Sequence, residues 1–163
     1  QDRLYTSIAH IIGCRDEAED VVQDAFVQAY LKLPTFRHDS TFYTWLYRIA
    51  LNRAASRRRR RRPVPQARDD EQDTLLHEPV DPSEPPGEQL LRLERAHQVR
   101  QALEALSQEH RAIMVLRELE GCDYQTIARV LDISVGTVRS RLHRARSEMR
   151  AQLKALQPWQ SAD

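Results

Sequence analysis

The chain has 163 residues, of which 40% are hydrophobic and 30% are charged, enough for one domain of average size or two small ones. Its 4 glycines and the lack of long period-2 alternation argue against an all-β fold, and neither a signal peptide nor an apolar run of roughly 18 residues is seen. Cys14 and Cys122 lie far apart without a CxxC pair, which argues against a disulfide scaffold or a zinc site and favours the cytoplasm.

The net charge of +1 conceals three segments of different charge. Residues 1–62 hold 12 Arg and Lys against 7 Asp and Glu, a net +5, and residues 89–163 hold 12 against 9, a net +3. Between them, residues 63–88 hold 1 against 8, a net −7. Two basic modules with an acidic connector can bring a nucleic-acid-binding surface and an internal polyanion mimic together in one chain.

The first segment shows the 3.6-residue apolar period of three helices. The first helix is predicted to end near Gly13, the second to run from about Asp16 until Pro34 stops it, and the third to start at about Thr41. The side chains expected to face inward are Leu4, Ile8, Ile11 and Ile12, then Val22, Ala25, Phe26, Ala29 and Leu33, then Phe42, Trp45, Leu46 and Ile49.

The connector, residues 63–88, contains six prolines among eight acidic residues. Proline removes backbone hydrogen-bond donors and the acids repel one another, so this stretch cannot build a packed core. We expect an extended, mobile tether between two domains.

Four further helices are predicted downstream. The first runs from Leu90 to Leu106, and the second is capped by Ser107 and ends at Gly121. A short third helix and a turn at Asp132 and Ile133 precede the last helix, which Ser134 caps. The inward residues are Ile113, Leu116 and Leu119, then Tyr124, Ile127, Ala128 and Leu131, then Val138, Leu142, Ala145, Met149 and Leu153.

The last helix has a face that suits DNA. With the Val138 stripe inward, small or donor-bearing residues project outward and arginines lie on both flanks, the pattern expected of a helix in the major groove. A solvated amphipathic surface helix gives the same pattern. A short helix, a tight turn and a capped helix in succession are typical of a helix-turn-helix and favour DNA binding. The outward residues are Gly136, Ser140, His143, Arg144 and Ser147, flanked by Arg139, Arg146 and Arg150 on one side and Arg141 on the other.

Three stretches of this sequence resemble extracytoplasmic-function (ECF) sigma factors, group 4 of the sigma-70 family. Residues 124–146 resemble region 4, residues 16–26 resemble regions 2.1 and 2.2, and residues 42–50 resemble regions 2.3 and 2.4. The resemblance implies an all-α fold of two small helical domains: region 2 at 1–62, a flexible acidic Pro-rich linker at 63–88, and region 4 at 89–163. The implied partners are core RNA polymerase (the clamp of its largest subunit and the flap of the second), promoter DNA and an anti-sigma factor.

In such a protein the helix at 134–150 reads the −35 element and the segment at 36–53 opens the −10 element. The expected −35 base contacts are Arg139, Ser140, His143 and Arg144, with phosphate contacts from Thr137, Arg141, Arg146 and Arg150. The expected −10 contacts are His38, Asp39, Ser40, Tyr43, Tyr47, Arg48, Asn52 and Arg53. By spacing, Tyr43, Thr44 and Tyr47 face away from the Ile49 core, where aromatic rings can stack on unpaired bases. Relatives often have glycine where His38 stands.

The second helix is the expected polymerase-binding site. Its outward face joins carboxylates to exposed aliphatic side chains, which suits a basic and partly apolar partner, although an ordinary acidic helix surface is the alternative. The residues assigned to this contact, partly by resemblance, are Asp20, Gln23, Asp24, Val27 and Leu31.

Several features stay open at this level. The arginines at 57–62 cover every face of a helix and are either extra phosphate contacts or a solvated helix end. The linker either suits a positively charged channel or only solubilises the chain. An autonomous helix-turn-helix regulator that binds duplex DNA as a dimer is the alternative function, although no heptad seam is found for it. No nucleophile with an activating neighbour and no metal-ligand spacing is seen, so no catalytic residue, metal or cofactor is predicted.

Overall fold

The structure, a computed structural model, describes residues 1–60 and 86–156. The described residues form seven α-helices and no strand, as the all-α prediction requires. The acidic linker, predicted to be an extended tether, lies almost entirely outside the described residues. The helices are α1 (Asp2–Ile12), α2 (Arg15–Lys32), α3 (Phe42–Arg60), α4 (Pro86–Glu104), α5 (Gln108–Met114), α6 (Tyr124–Leu131) and α7 (Val135–Leu156).

Helices α1, α2 and α3 form the first bundle, in which α2 packs against both of the others. The chain leaves α1 at Gly13, whose left-handed φ of 79° strains glycine least and whose N–H donates to the Ala9 carbonyl at 2.8 Å. Helix α2 then buries small residues, among them Ala18, Val22 and Ala25. Small side chains let the three helices approach closely, and this fixes the opposite, solvent-facing side of α2 as a surface.

Helices α4 to α7 form the second bundle. The caps that the sequence predicts are present: Ser107 accepts from His110 N at 3.3 Å, and Ser134 accepts from Thr137 N at 3.0 Å. Asp123 caps α6 by accepting from Thr126 N at 2.7 Å. Between α6 and α7, Asp132 adopts a φ of 55°, which turns the chain sharply enough to set the two helices as a helix-turn-helix.

The two bundles pack on each other, through α1 against α5 and the turn after it, and through α3 against α6. Arg111 reaches across this boundary, donating from Nη2 to the Glu104 carbonyl at 2.6 Å and from Nη1 to the Ile11 carbonyl at 3.4 Å. The buried apolar residues of both bundles form one continuous core. The sequence gives no indication of this docking.

Several inward predictions are wrong. Phe26, Leu33, Phe42 and Leu119 are 37%, 50%, 45% and 59% exposed. For Leu119 the cause is a π-helical turn at Val115–Leu119, which interrupts the predicted α-helix and shifts the phase of the side chains after it. Helix α4 begins at Pro86 rather than Leu90, because proline is favourable at the first position of a helix.

The prediction for Tyr47 is wrong in the opposite direction. Its spacing predicts a side chain facing away from the core, but it is only 1% exposed. Helix α3 packs against α1 and α2 of its own bundle and also against α6 of the neighbouring bundle. The periodicity argument allows for one buried face, and α3 has more than one.

Candidate nucleic-acid interfaces

The N-terminus of α7 is held in a defined geometry. The Ser134 hydroxyl accepts from Thr137 N at 3.0 Å and lies 2.8 Å from the Thr137 hydroxyl. Val138, Leu142 and Ala145 are buried against the rest of the bundle, as predicted. The helix is therefore fixed both at its cap and along its inner face, which leaves its outer face rigidly presented to solvent.

That outer face carries the four residues predicted to read bases, and all of them are exposed: Arg139, Ser140, His143 and Arg144. Ser140 donates to the Thr137 carbonyl at 3.1 Å, which leaves its oxygen free to accept. Their exposure confirms the predicted orientation of the helix.

Two of the flanking arginines are paired within the second bundle. Arg141 Nη2 lies 3.1 Å from Glu109 Oε2, and Arg146 Nη2 lies 2.7 Å from Glu118 Oε1. Surface pairs of this kind contribute little, at most about 1 kcal/mol, so a phosphate can replace either carboxylate at small cost. Arg150 is exposed and Thr137 is partly buried.

The loop between α2 and α3 borders a cleft of about 220 Å³. Phe36 and Trp45 lie side by side in its wall with ring centroids 5.0 Å apart, and the His38 ring lies 4.4 Å from Phe36. His38 has a φ of 59°, a left-handed conformation that glycine adopts without strain. Asp39 and Ser40 also line the cleft.

The other predicted −10 residues lie along α3. Tyr43 donates from its hydroxyl to Glu120 Oε1 at 3.1 Å, and burial together with that carboxylate raises the pKa of Tyr43. Tyr47 packs edge-on against Tyr43 with ring centroids 5.9 Å apart. Arg48 Nη2 lies 3.8 Å from Asp132 Oδ1. Asn52 is exposed and Arg53 is half-buried. Both predicted stacking rings therefore lie in the contact between the bundles, not on a free surface.

The outward face of α2 is largely as predicted. Val27 and Leu31 are 58% and 63% exposed, and Asp20 and Gln23 are exposed beside the half-buried Asp24. Sequence reasoning missed Tyr30, which is 78% exposed on the same helix and is found by the helical spacing from Val27.

Arg57 occupies this acidic face from α3. Its guanidinium donates to Asp20 Oδ2 at 2.8 Å and to Asp24 Oδ2 at 3.2 Å. The first arginine of the 57–62 run is thus neither a solvated helix end nor a free phosphate contact. The side chains of residues 58–62 lie outside the described part.

Sequence reasoning also missed three residues of the second bundle that touch the predicted −10 segment: Glu120, Arg129 and Asp132. Arg129 Nη1 donates to the Asp39 carbonyl at 3.1 Å and lines the cleft. No local pattern distinguishes these residues from ordinary surface charges, because their role depends on how the two bundles dock.

Cys14 and Cys122 are free thiols, and burial raises the pKa of Cys122, which opposes thiolate formation. Within residues 1–60 and 86–156, no group of three or more His, Cys, Asp or Glu side chains is placed to hold a metal ion. No helix in that part of the chain is long and apolar enough to cross a bilayer.

Comparison with known proteins covers both bundles. The family model for sigma-70 region 2 matches residues 1–64, and the model for sigma-70 region 4 matches residues 96–149. Among solved structures, CnrH in complex with the cytosolic domain of CnrY is 29% identical, with a TM-score of 0.62 over 93% of this chain and 81% of that one. The sigma factor RpoE of Bartonella quintana, solved with the anti-sigma factor NepR, has a TM-score of 0.66 at 24% identity and shows the same fold.

Full-length relatives align over nearly the whole chain. RNA polymerase sigma-H factor of Pseudomonas aeruginosa is 41% identical over 163 residues, which covers 97% of this chain and 82% of that protein. ECF RNA polymerase sigma-E factor of Escherichia coli K12 is 40% identical over 155 residues, which covers 90% of this chain and 78% of that protein. These matches favour a sigma factor over the dimeric helix-turn-helix regulator. With both of its helical bundles matched in order, the chain belongs to the ECF sigma factors of the sigma-70 family.

Proposed function

We propose that this sigma factor binds the clamp and flap of core RNA polymerase, reads −35 DNA with α7 and opens −10 DNA with residues 36–53. The observation that carries the proposal is the rigidly capped N-terminal half of α7, on which Ser140, His143 and Arg144 are exposed together. The site of action would be the cytoplasm, where polymerase and promoter meet.

The −35 contacts divide by chemistry. Arg144 and Arg139 can donate two hydrogen bonds to a guanine edge, whereas Ser140 and His143 can donate or accept. Phosphates would be bound by the arginines on the flanks of the helix, Arg141, Arg146 and Arg150, and by Thr137 at its N-terminal end. Each phosphate contact would steepen the salt dependence of binding without favouring a sequence.

The proposed −10 site combines a pocket for a base with side chains that bind phosphates. Phe36 and Trp45 line a cleft beside the loop residues His38, Asp39 and Ser40, which suits a base turned out of the duplex. Arg48, Asn52 and Arg53 follow on α3 and would hold the strand. Tyr43 and Tyr47 would stack on unpaired bases only once the second bundle has moved away.

The polymerase contact would use the acidic and apolar face of α2. Exposed Val27, Tyr30 and Leu31 beside Asp20 and Asp24 form a patch that a basic, partly apolar helix of the clamp would cover. Because Arg57 already pairs with both carboxylates, a basic residue of the clamp would have to replace it.

Control by an anti-sigma factor is supported by the CnrH relative, which is solved with the cytosolic domain of CnrY. The anti-sigma factor for this chain would compete with core polymerase for the same surfaces. Excess core polymerase should then displace it, and binding of both at once would contradict this part of the proposal.

Reconstituted transcription tests the proposal. Core polymerase with the wild-type protein should initiate from promoters whose start sites are mapped after overexpression, and core polymerase alone should not. A variant with Ser140→Ala, His143→Ala and Arg144→Ala should fold but lose −35 dependence. Failure of the folded full-length protein to direct initiation from any of these promoters would overturn the proposal.

A further inference from the structure

A cavity of about 170 Å³ lies between the two bundles, apart from the cleft beside the loop between α2 and α3. One of its lining residues, His10, belongs to α1 of the first bundle, and the others belong to α4, α5, the π-helical turn and α7 of the second. Leu103 and Val115 are almost fully buried in its wall. Val99 and Leu119 are 48% and 59% exposed. The cavity is therefore closed on its inner side and open to solvent on the other.

The wall of the cavity is apolar and adaptable. Both methionines of the chain, Met114 and Met149, line it. Methionine side chains are unbranched and polarisable, so they fit guests of different shapes. On the α4 side the small side chain of Ala96 leaves the space open. Because an apolar cavity of about 150 Å³ is large enough to bind benzene, this cavity can accept one aromatic ring or a short alkyl chain.

Three polar side chains also line the cavity: His10, Arg100 and Glu118. The carboxylate of Glu118 accepts from Arg146 Nε at 3.1 Å and from Arg146 Nη2 at 2.7 Å, so its charge is balanced within the second bundle. Burial and the nearby Arg100 guanidinium lower the pKa of His10, which keeps the imidazole neutral near pH 7. The cavity therefore joins an apolar interior to a guanidinium and a neutral imidazole.

This combination is suited to a carboxylic acid with an apolar body. A guanidinium binds a carboxylate through two parallel hydrogen bonds, which are about twice as strong as bonds between neutral groups. A neutral imidazole has one N–H that can donate to the same carboxylate. The apolar wall then removes the rest of the ligand from water, which favours binding in proportion to the apolar area that is buried.

We propose that the cavity is a binding site for a small carboxylic acid, with its ring or short chain between Met114 and Met149 and its carboxylate on Arg100. His10 contacts the ligand from the first bundle. Because the ligand touches both bundles, its binding stabilises their docked arrangement. None of the lining residues is among those assigned to DNA or to polymerase, so this site is a separate input of the protein and does not depend on the proposed function.

The test uses the full-length protein with carbon-13 in its methionine methyl groups, since both methionines line the cavity. The probe is hydrocinnamate, in which a short chain joins a phenyl ring to a carboxylate. Hydrocinnamyl alcohol has the same ring without the charge, and acetate has the charge without the ring. Methyl NMR spectra recorded during each titration give the dissociation constants, and thermal unfolding reports the change in stability.

Two variants alter the two halves of the site, and each has a matched control. Ala96→Leu fills the apolar space, and Ala151→Leu adds the same side chain at an exposed position of α7. Arg100→Gln removes the cation, and Arg95→Gln removes an exposed arginine from the same helix. Neither control position lines the cavity. Circular dichroism checks that every variant folds.

Hydrocinnamate should shift both methionine signals of the wild-type protein, approach saturation by about 10 mM and raise the midpoint of thermal unfolding. The alcohol should bind about tenfold more weakly, because it lacks the charge-assisted hydrogen bonds, and acetate should cause no shift. Arg100→Gln should weaken hydrocinnamate binding about tenfold and leave binding of the alcohol unchanged. Ala96→Leu should abolish binding of both, and the two controls should match wild type.

Several results would overturn the proposal. No saturable shift in the wild-type protein up to about 10 mM would exclude the site, and shifts that persist in folded Ala96→Leu would mean that the probe binds elsewhere. Equal affinities for acid and alcohol would contradict the carboxylate contact. If Ala96→Leu does not fold, Arg100→Gln decides: the acid must lose its advantage over the alcohol. None of these measurements involves polymerase or promoter DNA, so they are independent of the test of the proposed function.

Discussion

The Tyr43 hydroxyl donates to Glu120 Oε1 at 3.1 Å, and this bond joins the helix proposed to open DNA to the bundle proposed to find the promoter. Because Tyr43 is also covered by the Arg3 guanidinium, 4.9 Å from its ring centre, its ring is not free to meet a base in this state. Under the proposed function, Tyr43 can contact a base only after this contact between the bundles has broken.

The division of α7 into base and phosphate contacts predicts different specificities for two arginine variants. Arg144→Ala should cost roughly 1–3 kcal/mol of discrimination at one −35 position. Arg150→Ala should weaken all promoters similarly and reduce the salt dependence. Holoenzyme affinity for a set of −35 variants at several salt concentrations measures both, and equal losses across all sequences for both variants would contradict the assignment.

The pairing of Arg57 with Asp20 and Asp24 predicts opposite effects on polymerase binding. Replacing both aspartates with asparagine should weaken binding to core polymerase about tenfold, because a charged contact with the clamp is lost. Arg57→Gln should strengthen binding, because an internal competitor for the same carboxylates is removed. Titration of labelled protein with core polymerase measures this, with Glu94→Gln on α4 as control. Weaker binding by Arg57→Gln would show that Arg57 organises the site instead of competing for it.

The π-helical turn predicts unequal costs for two leucines three residues apart. Leu116 is 1% exposed, so Leu116→Ala should lower the free energy of unfolding by about 2–5 kcal/mol through the cavity it leaves. Leu119 is 59% exposed, and Leu119→Ala should change stability by less than about 0.5 kcal/mol. Urea unfolding of both variants measures the difference. Similar large losses of stability in both variants would contradict the π-helical turn and support the regular α-helix that the sequence predicts.

The Asp123 cap of α6 predicts that the stability of the fold depends on pH. The hydrogen bond from Thr126 N holds the pKa of Asp123 below its ordinary value. A lowered pKa in the folded state means that the cap stabilises fully above the unfolded pKa of about 4 and loses that contribution as the pH falls through the folded pKa. Thermal unfolding of Asp123→Asn, which keeps the cap without the charge, should show a shallower loss of stability below about pH 4 than wild type. Identical pH profiles would mean that the charge contributes nothing.

Much of the local structure could be predicted from sequence because it depends on local chemistry. Ser107 and Ser134 cap helices where their spacing places them, and the Val138 and Leu142 stripe is buried as its period requires. The donors on α7 are exposed for the same reason. Helical period and capping involve residues within one or two turns of each other, so the sequence contains the whole interaction.

The errors arise where distant segments meet. Tyr47 is buried because α3 is covered on more than one face, and Glu120 and Arg129 reach the proposed −10 residues only through the docking of the two bundles. The pairing of Arg57 with Asp20 spans 37 residues. No periodicity records such contacts, since they depend on the relative placement of elements that are locally independent.

The most direct test of a bipartite promoter reader is permanganate footprinting of the −10 region on a mapped promoter, because permanganate oxidises unpaired thymines. Core polymerase with this protein should make −10 thymines reactive, and removing the −35 element should abolish that reactivity. Reactive thymines with core polymerase alone, or a closed duplex with the folded protein present, would contradict the account.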